Sequence, residues 1–171
     1  MKKVMITFII FGVVSVASFG QTFTYVGSAK CAICHKTEKQ GQQFVIWDKS
    51  AHSKSFAATS SAQAGAAAQA MGVKDPTTDP KCLKCHAPLF DKAAELKAEG
   101  VTCEVCHGPG SAYRTLSVMK DKAAAVKNGL KLYGSPDAIK TQCLTCHENA
   151  HGKSFDFAAA WEKIKHPIPA K

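Results

Sequence analysis

The chain has 171 residues, a formal net charge of +9 and eight cysteines. This length fits one domain, and after residue 20 no stretch is long and apolar enough to cross a membrane. A net positive charge on its own would suggest a nucleic acid or an anionic surface as the partner. The motifs of the chain decide whether that suggestion applies.

The first twenty residues have the three parts of a secretory signal peptide. Lys2 and Lys3 form a basic start, residues 4–16 are mainly apolar, and the small residues Ser18 and Gly20 precede Gln21. We predict a signal peptide over 1–20 and one domain over 21–171, in the periplasm or outside the cell. An uncleaved membrane anchor is the alternative, but the apolar run is shorter than the roughly 20 residues that a span needs.

The predicted domain is mainly α-helical, and no segment has a convincing strand pattern. Asp75 to Pro80 is predicted to be a connector, and glycine and proline break the chain at 108–110. Helices are predicted over 43–58, 60–71, 89–99 and 112–128, from Ser135 into residues 143–147, and from Asp156 to just before His166.

All eight cysteines fall in Cys-x-x-Cys pairs, and a histidine follows each pair directly. A disulfide framework suits an exported chain with an even cysteine count, but it gives no reason for the histidines. Zinc sites also use such pairs, yet they do not need a histidine after each one. The four motifs are Cys31-Ala-Ile-Cys34-His35, Cys82-Leu-Lys-Cys85-His86, Cys103-Glu-Val-Cys106-His107 and Cys143-Leu-Thr-Cys146-His147.

Covalent attachment of haem c explains every residue of the motifs. Two thiols add across the vinyl groups of one haem, and the imidazole binds its iron. Positions i, i+3 and i+4 share one face of a helical turn, so all three side chains can reach the same porphyrin. We therefore expect four haems c, with His35, His86, His107 and His147 as proximal ligands. At about 38 residues per haem, the haems must form the core and nearly touch.

The haems also change the charge. Removal of Lys2 and Lys3 lowers the formal +9 to +7, and four haems bring about eight negative propionates. The holoprotein is then close to neutral, and we expect no nucleic-acid partner. The fold class is a mainly α multihaem cytochrome c with a haem-packed core and little or no sheet.

The chain has too few histidines to give every iron two. There are seven, and four of them belong to the motifs. Unless another chain lends a ligand, at least one iron is open or bound by another group. The candidate sixth ligands are His52, His166, His151 and Met119.

Three stretches beside the motifs are distinctive: Trp47-Asp-Lys-Ser-Ala-His52-Ser-Lys-Ser-Phe56, Gly100-Val-Thr-Cys-Glu-Val-Cys-His-Gly-Pro-Gly110-Ser-Ala-Tyr113, and Phe155-Asp-Phe157 with Ile164-Lys-His166-Pro167. They resemble the cytochrome c-554 family of small tetrahaem cytochromes, whose best-known member takes electrons from hydroxylamine oxidoreductase in ammonia-oxidising bacteria. The resemblance spans about residues 25–169.

The resemblance implies a mostly helical fold with haems in closely stacked pairs. It implies that His52 lies opposite His107 on the third haem and that His166 lies opposite His147 on the fourth. It also implies that the second haem, on His86, lacks a sixth protein ligand.

The first haem departs from the family pattern. The family's best-known member uses a histidine shortly after the third motif, but residues 108–140 contain none here. Met119 and His151 are the alternatives. Residues 87–90 are apolar and could cover the second haem, which would favour electron relay over catalysis.

The predicted function is electron transfer between redox partner proteins, from a donor oxidoreductase to an acceptor cytochrome or a quinone-linked membrane complex. We predict no catalytic residues. An enzyme that acts on nitric oxide, nitrite or hydroxylamine at an open haem is an alternative. A subunit of a cytochrome filament is another, and an oligomer that shares ligands between chains would remove the histidine shortage.

Overall fold

The computed structural model describes residues 22–168, which are helical and irregular and contain no strand. The mainly α prediction is therefore confirmed for this part of the chain. The predicted signal peptide and residue 21 lie outside the described residues. The α-helices are α1 (Ser28–His35), α2 (Gln43–Lys49), α3 (Ser55–Ala58), α4 (Ala62–Ala70), α5 (Pro80–His86), α6 (Cys103–His107), α7 (Leu116–Met119), α8 (Lys122–Lys127), α9 (Pro136–His147) and α10 (Phe157–Ile164).

Three predicted helix starts are confirmed by their capping hydrogen bonds. Ser61 Oγ accepts a hydrogen bond from the Ala64 N–H at 3.2 Å at the start of α4. Ser135 caps α9, with Pro136 in the first turn. Asp156 caps α10. In each case a side-chain oxygen satisfies a backbone donor that the first helical turn leaves free.

Three of the predicted helices are shorter or more broken than expected. Residues 89–99 form only a 3₁₀ helix, Ala94–Glu99. The 112–128 helix is interrupted after Met119, and the Asp121 carboxylate caps the second piece through the Ala124 N–H. The 43–58 helix stops at Lys49, because Ser50 and Ser53 hydroxyls bond to backbone carbonyls there. Such local side-chain bonds compete with the helical ladder.

The protein-only core is thin. The buried apolar side chains are mostly small, with four alanines among them: Ala68, Val73, Leu83, Ala87, Leu89, Ala93, Tyr113 and Ala125. A chain of this size normally buries more apolar surface, so these side chains cannot be the whole core. Within residues 22–168, no helix is long and apolar enough to cross a membrane.

Candidate haem sites

Each of the four motifs lies on a helix that ends at the motif histidine. Helices α1, α5, α6 and α9 end at His35, His86, His107 and His147. The two cysteines and the histidine of each motif therefore stand at i, i+3 and i+4 of one terminal turn and share a face. This is the geometry that the spacing predicts.

The motifs adjoin one another in a fixed spatial order. A hydrogen bond between Cys31 and Cys103 raises the pKa of Cys31 and lowers the pKa of Cys103. Burial and then Cys143 raise the pKa of Cys106 to about 11, and burial and then Cys146 raise the pKa of Cys85 to about 11. Thioether sulfurs do not titrate, so these effects indicate only that cysteines of neighbouring motifs lie close together. The order in space is first, third, fourth and second motif.

A buried carboxylate joins the first motif to the third. Glu104 lies inside the third motif and is 2% exposed. Its two oxygens accept hydrogen bonds from the backbone N–H groups of Val26, Gly27 and Gly110 at 2.6–3.0 Å. Ser28 adds a second link, because its Oγ accepts from the Cys103 N–H at 3.3 Å. These bonds fix α1 against α6.

Six of the seven histidines form three pairs with closely spaced rings. The ring centres are 6.1 Å apart for His52 and His147, 6.0 Å for His86 and His151, and 5.8 Å for His107 and His166. Two imidazoles that bound one metal from opposite sides would have ring centres roughly 6.3 Å apart, because each metal–nitrogen distance is about 2.0–2.1 Å and each nitrogen lies about 1.1 Å from its ring centre. The three spacings therefore fit one iron between the rings of each pair.

These pairs differ from the pairs that the resemblance implied. His52 lies opposite His147, not His107, and His166 lies opposite His107, not His147. His151 faces His86 at the second motif, where the resemblance implied no histidine. Met119 is half-buried on α7.

Hydrogen bonds and stacking set the direction of several rings. His86 Nδ1 donates to the Ser55 carbonyl at 2.8 Å, which leaves Nε2 with the lone pair. His35 Nδ1 lies 3.2 Å from Gln43 Oε1. Phe155 stacks on the His147 ring with the ring centres 4.6 Å apart. Such second contacts hold ligand rings in one orientation.

The surroundings of four of the paired imidazoles favour the neutral form. Burial lowers the pKa of His52, His107, His147 and His166. A neighbouring histidine lowers the pKa further at His52 and His107. Only a neutral imidazole has a lone pair for a metal, so this environment suits ligation.

Two cavities flank the second motif, of about 330 and 350 Å³. Both are lined by Cys82, His86 and His151, the cysteine and the two histidines that a haem there would need. Small side chains of α4, such as Ala64 and Ala67, line the second cavity. A cover from residues 87–90 stays a prediction, since the side chains that line these cavities include α4 residues but none from 87–90.

Sequence reasoning missed several of these contributors. Helix α4 is one of them: most of its residues are exposed, but Ala64 and Ala67 line the second cavity. Gln43 and Ser55 act on histidines 8 and 31 positions away, respectively. No local pattern marks such partners.

The helical fold and the four cysteine–histidine helix ends define a c-type cytochrome. Comparison with known proteins agrees. The family described as "Cytochrome c554 and c-prime" matches residues 30–108. The curated cytochrome c-554 of Nitrosomonas europaea is 30% identical over 168 residues, which cover 88% of this chain and 69% of that protein. No solved structure matches. The chain belongs to the cytochrome c-554 family and is a multihaem c-type cytochrome of electron transfer.

Proposed function

We propose that this chain is exported to the periplasm, carries four covalent haems c and relays electrons between redox partner proteins. The observation that carries the proposal is the coincidence of two features. Four motif helices adjoin in a continuous order, and three histidine pairs have the spacing of trans ligands on one metal. A bound haem supplies a reversible one-electron change at iron.

The histidine pairs assign six of the axial ligands. His86 and His151 would hold the second haem. His107 and His166 would hold the third, and His147 and His52 the fourth. Two-histidine ligation favours a low reduction potential compared with methionine ligation. Because stacking holds the His147 ring and a hydrogen bond holds the His86 ring, ligand reorganisation at these sites during electron transfer should be small.

The spatial order makes the first and second haems the ends of the relay. The first motif is at the surface, where Cys34 is exposed and Ile33 is 66% exposed. The cavity at the second motif is bordered by Lys81 and Lys84. Protein partners would therefore exchange electrons at these two ends, with the third and fourth haems between them.

One-electron pulse reduction of the purified holoprotein tests the relay. A small donor should reduce the exposed haems first, and the electron should then redistribute at constant total reduction. The redistribution rate should not depend on protein concentration, because the transfer is intramolecular. A rate proportional to concentration would mean that the haems exchange electrons only between molecules, and the relay would be refuted.

Removal of the fourth haem supplies a matched comparison. Replacing Cys143 and Cys146 by serine should isolate the second haem from the other two. Replacing Cys82 and Cys85 instead removes an end and should leave redistribution among the remaining haems intact. N-terminal sequencing of the secreted protein tests export, with Gln21 expected as the first residue.

A further inference from the structure

We infer that the haem without a histidine partner is the first one, held by His35, and that its iron binds a small neutral diatomic ligand. This inference rests on the proposed function, and it reverses the family expectation that the second haem is the open one.

The distribution of the histidines leaves His35 without a paired histidine. The chain has seven, and all of them lie within residues 22–168. Three close pairs use six of these. The one left is His35. Because every pair contains one motif histidine and one from elsewhere, no further histidine of this chain can reach the iron on His35.

The second step is the orientation of His35. Gln43 Nε2 donates to the Pro167 carbonyl at 2.9 Å, which can only accept. The other end of the same amide, Oε1, must then accept from His35 Nδ1, at 3.2 Å. His35 is therefore the Nδ1–H tautomer, and its Nε2 carries the lone pair that binds iron. The proximal side of the first haem is preorganised in the same way as that of the second.

The third step is access. Cys34 is exposed and the neighbouring Ile33 is 66% exposed, so the first motif lies at the surface. On its other side it adjoins the half-buried third motif through Cys103. A haem held by the first motif would therefore lie at the surface and next to the third motif, where a small solute could reach it.

The backbone conformation at His151 supports its role as a ligand of the second haem. His151 has left-handed backbone angles, φ 54° and ψ 32°, and Asn149 two residues earlier has φ 50° and ψ 30°. Such a conformation costs a residue with a side chain on the order of 1 kcal/mol or more. His151 is exposed, so packing does not demand it. A bond from its ring to an iron held by His86 would offset the cost of this backbone conformation and would explain why the turn adopts it.

Carbon monoxide titration of the fully reduced holoprotein tests the inference, with the haem load of the same sample measured by mass. Wild type should bind one carbon monoxide per chain. His151→Ala should bind two, because the second iron then loses its ligand. The matched control Lys153→Ala, in the same loop, should still bind one.

Two results would overturn the inference. Unchanged stoichiometry in His151→Ala would mean that the second haem is the open one. No binding in wild type would mean that another side chain, such as Met119, fills the sixth position of the first haem. A full haem load with either result leaves the proposed function standing, whereas a chain without covalent haem removes both.

A second measurement ties the ligand to the first haem. Gln43→Leu removes the acceptor of the His35 Nδ1–H and should weaken the iron–imidazole bond. The iron–histidine stretch of the reduced five-coordinate haem should move to lower frequency in the resonance Raman spectrum. The neighbouring Gln40→Leu is the control and should not move it. An unmoved stretch in Gln43→Leu places the open iron elsewhere.

Discussion

The buried carboxylate of Glu104 gives the sharpest test of how the protein sets haem potentials. It is 2% exposed, and donors occupy both of its oxygens, so it has no proton to donate and carries a negative charge. It also lies close enough to the first motif to raise the pKa of Cys31 by its field, after the larger effects of Cys103 and burial. Glu104→Gln keeps the shape and removes the charge.

Two effects follow, and both can be given a size. A buried negative charge stabilises ferric iron, so its removal should raise the potentials of the first and third haems. At ~10 Å and an effective dielectric constant of ~20 the change is about 1.7 kcal/mol, or roughly 70 mV for one electron. In the variant, the NH₂ group of the glutamine amide also faces one of the backbone N–H groups, and two donors cannot form a hydrogen bond. Losing one charge-assisted hydrogen bond there should lower the free energy of unfolding by about 1.5–3 kcal/mol.

Spectroelectrochemical titration of Glu104→Gln, with thermal unfolding followed on the same sample, measures both quantities. The exposed Glu95→Gln is the matched control and should change neither. If the potentials of all four haems in Glu104→Gln stay within error of wild type, the carboxylate does not tune the haems and the reasoning fails.

Other variants test separate parts of the structure. His52→Ala should convert one ferric haem from low spin to high spin in the electron paramagnetic resonance spectrum, because His52 faces His147 at 6.1 Å; an unchanged spectrum would make His52 a packing residue. Gln42→Gly should raise the free energy of unfolding by about 1 kcal/mol in a denaturant titration, since Gln42 has φ 53°; a loss of stability would contradict this. Gly100→Ala should lower the melting temperature by several degrees, because Gly100 has φ 68° and its added methyl group would collide with Ser55; an unchanged melting temperature would show that the turn can relax.

The local features of this fold were readable from the sequence. Capping by Ser61, Ser135 and Asp156 depends on residues three positions apart, and the motif helices depend on a five-residue pattern. Both are set by bonds within one turn, so the sequence contains all the needed information. The exceptions are the predicted helices over 43–58 and 112–128, which are broken, and residues 89–99, where only a 3₁₀ segment forms.

The histidine pairs could be counted but not matched from the sequence. The members of a pair are 95 positions apart for His52 and His147 and 59 apart for His107 and His166. Pairing at such separations depends on how helices pack, which no local pattern encodes. His151 is harder still, because its direction depends on a left-handed turn that is unfavourable in isolation.

The intact mass of the exported protein tests the central claim most directly. We expect the mass of the chain from Gln21 plus four haems, with no free thiol, and four one-electron steps in a reductive titration. A mass equal to the bare chain, or to the chain with disulfides or zinc, would contradict the account.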